Sequence, residues 1–263
     1  WALRGGGANF GVVTALEFRL YPVAHVYGGI SYFAADRGAE TIQRYRDWAA
    51  GAPDELSTAV LLTRVPEIPE IPETLRGRRA LAIKVLYAGE AGDAERHLAP
   101  LRAVAGPALV DGYRSMAYSQ AAMGGTPARY LDLLDELPDV LIDLIVGAAA
   151  GDASPASTVE LRHWSGAMGR PAEDAGPTGH RASPFSLIID GATPRLAAAL
   201  RPHGNGGAFL NFLSDPARTE TAYTAENYRL LREVKKAYDP DNFFCINHNI
   251  PPAGSRAVEP FVG

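Results

Sequence analysis

The chain has 263 residues, 47% hydrophobic and 21% charged, the balance of an ordinary globular protein with enough chain for a sizeable core. A net charge of −5 leaves no basic surplus for a nucleic-acid backbone. The longest apolar runs, VLIDLIVGAAA and FSLIIDGA, are both interrupted and too short to span a membrane, so neither nucleic acid nor membrane is expected as a partner. The single cysteine, Cys245, excludes an internal disulfide and leaves the compartment open. A start at Trp1 rather than Met is expected to fall inside a longer protein.

Taken in order, the pattern predicts a strand from Val12 to Tyr21, stopped by Pro22, and a second from Val26 to Phe33. Asp36 is expected to cap a helix running to Ala50, with Ala39, Ile42, Tyr45 and Ala49 on its apolar stripe. A strand over Ser57–Val65 follows, and then PEIPEIPE, an acidic, proline-punctuated segment read as an exposed loop. Arg79–Tyr87 alternates as a strand with Leu81, Ile83, Val85 and Tyr87 on one face, and Glu90–Ala103 reads as a helix. Residues 113–150 look helical in pieces, broken at Gly124-Gly125-Thr126-Pro127 and at Pro138. Strands are expected over Thr158–Trp164, Pro184–Asp190 and Ala208–Leu213, with a short helix at Pro194–Leu200 and a turn at residues 203–207. The strongest helix is Glu226–Tyr238, led by Thr224, with Tyr228, Leu231, Val234 and Tyr238 as its buried stripe and Lys235 and Lys236 at its C-terminal dipole. Together these elements predict an α+β fold: an antiparallel sheet with helices packed on one face, and no internal repeat.

The opening WALRGGGANFG carries Gly5, Gly6, Gly7 and Gly11 but fits neither nucleotide-binding glycine motif. Gly5 and Gly7 match the first two positions of a dinucleotide fingerprint, but the third is Phe10, and a strand pattern follows where a helix is required. A phosphate-binding P-loop fails because Gly11 is followed by Val12 instead of lysine. Two readings stay open: a tight turn in which glycines supply positive φ, or bare backbone amides that approach a phosphate.

Both ends carry a family resemblance. WALRGGGANFGVVTALEFRLYPV resembles the end of the flavin-binding domain of berberine-bridge-enzyme-like oxidases, of the vanillyl-alcohol-oxidase superfamily of FAD enzymes. NYRLLREVKKAYDPDNFFCINHNIPP resembles that family's closing segment: a helix, Asp-Pro-x-Asn-x-Phe, then Asn-x-x-Ile-Pro-Pro. GHRASPFSLIID and GGAFLNFL fit more loosely. The resemblance implies three parts: residues 1–22 as the end of a PCMH-type FAD-binding domain, 23–223 as an α+β substrate domain, and 224–263 as a segment returning to the flavin domain. It implies FAD as cofactor, with Gly7, Asn9, Gly11, Val12, Val13, Asn247 and Asn249 near it. The larger flavin-binding half, with any covalent flavin tether, would precede Trp1. The implied activity is hydride transfer from a small organic substrate (sugar, alkaloid or polyketide-like) to flavin, with molecular oxygen as the acceptor. The alternative is a non-catalytic remnant, or a substrate-domain half needing a separate flavin domain.

The family's usual base is a Tyr whose position here is Phe209, and a Glu used by some plant members matches Leu187, so no catalytic residue is assigned. That departure favours a bulkier, more apolar substrate over a sugar. The cavity wall is expected from His163, Trp164, Leu187, Phe209 and Asn211, with Leu161 on the same face. Cys245, between Phe244 and Ile246, reads as a buried inert thiol, and His180 as a loop residue. The histidine and cysteine spacings give no metal site.

Overall fold

A computed structural model describes residues 1–69, 71–151 and 154–255; Glu70 of the acidic loop lies outside them. The chain forms two compact units. One contains Tyr21–Gly169 and Ser183–Asn205; the other contains Trp1–Leu20, Arg170–Ala182 and the residues from Gly206 onward. Segments 170–182 and 206–223, expected with the substrate domain, therefore group with the two chain ends.

The first unit is built on a seven-stranded, wholly antiparallel sheet. Its strands are β1 (His25–Ala34), β2 (Leu56–Arg64), β3 (Arg79–Tyr87), β4 (Arg114–Ala117), β5 (Tyr130–Leu134), β6 (Thr158–His163) and β7 (Phe185–Asp190), in the order β4-β1-β3-β2-β6-β7-β5. Helices α1 (Gly38–Ala49), α2 (Ala91–Ala105) and α3 (Asp139–Ala149), with the short α4 (Pro194–Leu200), contribute to one core with the sheet. Alternation on each strand decides which side chains join it. Leu81, Ile83, Val85 and Tyr87 of β3, Val60 and Leu62 of β2, and Leu161 of β6 meet Ile42, Tyr45, Leu98, Leu101, Leu141 and Ile145. The opposite face carries a smaller cluster of Ala59, Leu61 and Ala82 with Ile30 and Tyr32, and no helix of this unit contributes to that cluster among the described residues.

Tyr45 of α1 is fully buried, and its hydroxyl lies 3.0 Å from both the carbonyl and the Oγ1 of Thr58. Burial raises its pKa well above the ordinary tyrosine value. Tyr45→Phe leaves those groups without their buried partner, at an expected loss of about 1–2 kcal/mol in urea unfolding.

Three expectations change here. Residues 113–134 hold two strands instead of helix, because YLDLL is a short, fully buried run that periodicity cannot tell from a helix turn. Asp36 sits in a 3-10 turn, and α1 starts after Arg37 with no side-chain cap. Residues 11–24 belong to no strand or helix, and Val12, Leu16, Phe18 and Leu20 are exposed. A strand needs a ladder partner, and none lies beside these residues among the described ones.

The second unit centres on α5 (Ala225–Tyr238). Thr224 caps it, its Oγ1 accepting from the Asn227 N–H at 3.1 Å. Thr224→Ala is expected to cost about 1 kcal/mol of this unit's stability by chemical denaturation. Only Leu231 and Lys235 of α5 are buried, while Tyr238, expected on the buried stripe, is 83% exposed. Residues 208–213 form a 3-10 turn at Leu210–Phe212 instead of a strand, and Phe209 packs against the Phe212 ring.

Candidate functional site

Within the sheet unit, a cavity of about 400 Å³ opens against the face opposite α1, α2 and α3. Cross-strand pairing explains which residues reach it. Ala59 pairs with both Lys84 and Arg162, and Glu160 lies two residues before Arg162, so all four share that face. Leu86, Met123, Trp164 and Met168 supply apolar wall, and His163 closes the end of β6.

Glu160 is fully buried. Its Oε1 accepts from Arg162 Nε at 2.9 Å and from Arg162 Nη2; its Oε2 accepts from Thr126 Oγ1 and lies 3.6 Å from Lys84 Nζ. Burial pushes this carboxyl's pKa up, but Thr126, Arg162 and Lys84 outweigh it and hold the group below the usual carboxylate range. The floor therefore carries an ionised carboxylate between two cations. Arg162 also lies 5.4 Å over the Trp164 ring, whose Nε1 donates to Ser186 Oγ at 2.7 Å. Burial lowers the His163 pKa, so its ring is held neutral against Phe185.

The 121–129 segment covers part of this floor. Lys84 Nζ donates to the Gly124 carbonyl at 2.7 Å, and Thr126 bonds Glu160, so the same charged residues pin Met123–Thr126 over the cavity.

The second unit answers the question of the glycines. A Cβ on Gly6 would come within 2.4 Å of the Ala2 carbonyl and the Phe10 ring, so this part is a tight turn. Gly11 differs: at φ +134° nothing lies within 4 Å of a Cβ position, and the backbone is open. Asn9 is buried and wholly engaged within the fold. Its Nδ2 donates to the Gly6 and His248 carbonyls, each at 2.8 Å, and its Oδ1 accepts from the Ile250 N–H at 2.8 Å. Lys235, expected at the helix's C-terminal dipole, lies in the last turn and is fully buried. Its ammonium donates to the Asn9 carbonyl, the Phe244 carbonyl and Asp239 Oδ2 at 2.7, 2.7 and 2.6 Å. These two side chains join the opening turn to the closing segment.

Of the expected cavity residues, His163 and Trp164 line the cavity. Leu187 does not: with Leu161 it faces the helices and is fully buried in their core. Successive strand residues point to opposite faces, and Leu161 and Leu187 fall on the helix side of theirs. Phe209 and Asn211 belong to the other unit and are not among the lining residues. Of the residues expected near a cofactor, Asn9 has both amide protons committed internally, while Val12, Val13 and Asn247 are exposed and Asn247 holds φ +66°. Asn249 Oδ1 is buried with no hydrogen-bond partner among the described residues. Gly7 holds φ +63° in the turn. Cys245, read as buried, is exposed. His180 keeps a structural place, at φ +58° with Nε2 2.8 Å from the Thr221 carbonyl. The residues that sequence reasoning missed are Lys84, Glu160 and Arg162. Their signal was a charged residue on the polar side of two strands that otherwise read as apolar.

Residues 208–251 match the family described as "Berberine and berberine like". An FAD-linked oxidoreductase of Dictyostelium discoideum is 24% identical over 96% of this chain and 58% of its own length. The (R)-6-hydroxynicotine oxidase of Paenarthrobacter nicotinovorans is 28% identical over 97% of this chain and 60% of its own length. The chain thus spans about three fifths of these curated relatives. Among solved structures, a BBE-like protein from Arabidopsis thaliana superposes with a TM-score of 0.72 at 19% identity, covering 96% of this chain and 62% of that one, which shows a shared fold. Among the described residues no helix is long and apolar enough to cross a membrane.

Proposed function

We propose, for a chain whose closing segment is of the berberine and berberine-like family and whose relatives are FAD-linked oxidoreductases, that it forms the substrate-holding part of an FAD-dependent oxidase. The bound flavin would supply a two-electron acceptor for a hydride from a small organic substrate, with molecular oxygen as the final acceptor. The observation that carries the reading is the cavity on the sheet face opposite α1, α2 and α3, with apolar walls and a small set of convergent polar groups on its floor.

The chain's own residues fit a flavin in two respects. The backbone at Gly11 is open to a close neighbour, and the Oδ1 of Asn249 is a buried acceptor awaiting a donor. With them, Gly7, Val12, Val13 and Asn247 are the proposed FAD neighbours, and Asn9 is the residue that sets their backbone. Glu160 orients the cavity floor and is not proposed as the base, because its ion pairs lower its proton affinity. The flavin-binding half that the longer relatives possess would complete the enzyme.

The test is the visible absorption of the purified chain after incubation with FAD and desalting. Retained flavin absorption is the expected result. A colourless protein that still unfolds cooperatively would contradict flavin holding by these residues alone and favour a substrate-holding half whose flavin is bound by a separate domain. The exposed, unpaired run from Val12 to Tyr21 is the observation on that side.

A further inference from the structure

We infer that the cavity selects an acidic ligand, a flat aromatic carboxylate or phenolate-like acid, and that Lys84 is the group that reads its charge. The inference rests on the reading of this cavity as the substrate site.

Charge is the first argument. Glu160 is satisfied without Lys84, because Arg162 binds Oε1 through two nitrogens and Thr126 binds Oε2. Lys84 Nζ lies 3.6 Å from Oε2, within ion-pair range but too far for a good hydrogen bond. Lys84 is thus the cation of the floor that Glu160 holds less closely, on a side chain that is largely buried. The neighbouring His163 is neutral and adds no charge. The remaining charged lining residue, Asp54, is exposed.

Donor capacity is the second. An ammonium has three N–H groups, and the bond to the Gly124 carbonyl uses one. The Lys84 side chain is only 13% exposed, so water satisfies the others poorly, and an incoming carboxylate oxygen satisfies them well. Shape is the third. A cavity of about 400 Å³ with Met123, Met168, Leu86 and Trp164 around a polar floor suits a compact apolar body with one charged end.

Isothermal titration calorimetry at neutral pH with three probes of one shape tests this without flavin. The probes are naphthalene-2-carboxylate, naphthalene-2-carboxamide and 2-naphthylmethylamine. The carboxylate is expected to bind at least about tenfold tighter than the amide, and the amine weakest. Lys84→Met is expected to erase the preference for carboxylate over amide, and Lys84→Arg to keep most of it. Equal binding of the three, a preference for the amine, no binding by any, or an unchanged preference in Lys84→Met would overturn the inference. Should Lys84→Met fail to fold, the wild-type ranking of the probes decides. Because the readout needs no flavin, flavin retention with no carboxylate preference would sink this inference alone, and the reverse outcome would sink only the oxidase reading.

Discussion

Glu160→Leu is expected to destabilise the sheet unit by about 3–5 kcal/mol. The leucine fits the volume but leaves Arg162 and Lys84 facing each other without the carboxylate that both are placed against. It also removes the acceptor of Thr126, so one of the two pins on the Met123–Thr126 segment is lost. Urea unfolding with circular dichroism measures the stability term. The pH dependence gives a second readout. Because the folded state holds the Glu160 pKa below its unfolded value, the stability it contributes is present above the ordinary carboxylate range. That contribution is lost as pH falls through the lowered value. Wild type should therefore lose stability on acidification through that window, and Glu160→Leu should lose less. Equal acid slopes in the two proteins would show that Glu160 is not held ionised by its neighbours.

Lys235→Met is expected to cost about 2–4 kcal/mol in the other unit, because two backbone carbonyls lose a charged donor in a buried place. Methionine fills much of the space, so the loss reads as polar and not as a cavity. The consequence is local as well as global. This ammonium joins the Asn9 and Phe244 carbonyls, so hydrogen exchange should rise at the opening turn and at residues 243–250 before it rises in α5. Asp239 adds a pH test. Burial acts to raise its pKa, and the bonds from Lys235 and the Phe243 and Phe244 amides outweigh that and lower it. Its contribution is thus present at neutral pH and disappears as pH falls through the carboxylate range. Lys235→Met should flatten that acid-side loss, and an unchanged slope would argue against the pairing.

The helix-backed sheet was legible because β3 and α1 obey strict periods, and tertiary packing did not override them. Leu81, Ile83, Val85 and Tyr87 all reach the core as their alternation requires. What local pattern did not settle was the face that carries the site. Leu161 and Leu187 are strand residues of the same kind as the true wall, and only the pairing of β2 with β6 shows that Glu160 and Arg162 look the other way. The burial of Lys235 was not legible for a related reason. A lysine near a helix C-terminus is ordinarily a solvated charge, and nothing in NYRLLREVKKAY says that the Asn9 carbonyl lies against it. The opening strand failed because a strand is defined by its neighbour, and Val12–Tyr21 has none among the described residues. Family-like motifs at the two ends were readable because they are contiguous; the cavity floor, assembled from residues 84, 126, 160 and 162, is not.

The central claim is that this cavity is the substrate site of a flavin-linked oxidase. Anaerobic mixing of the flavin-loaded full-length protein with a panel of sugars, cyclic amines and phenolic acids tests it most directly, by the flavin's visible absorption. The account predicts bleaching by a member of the panel, lost in Glu160→Gln while flavin content is unchanged. Bleaching that survives Glu160→Gln undiminished would contradict it.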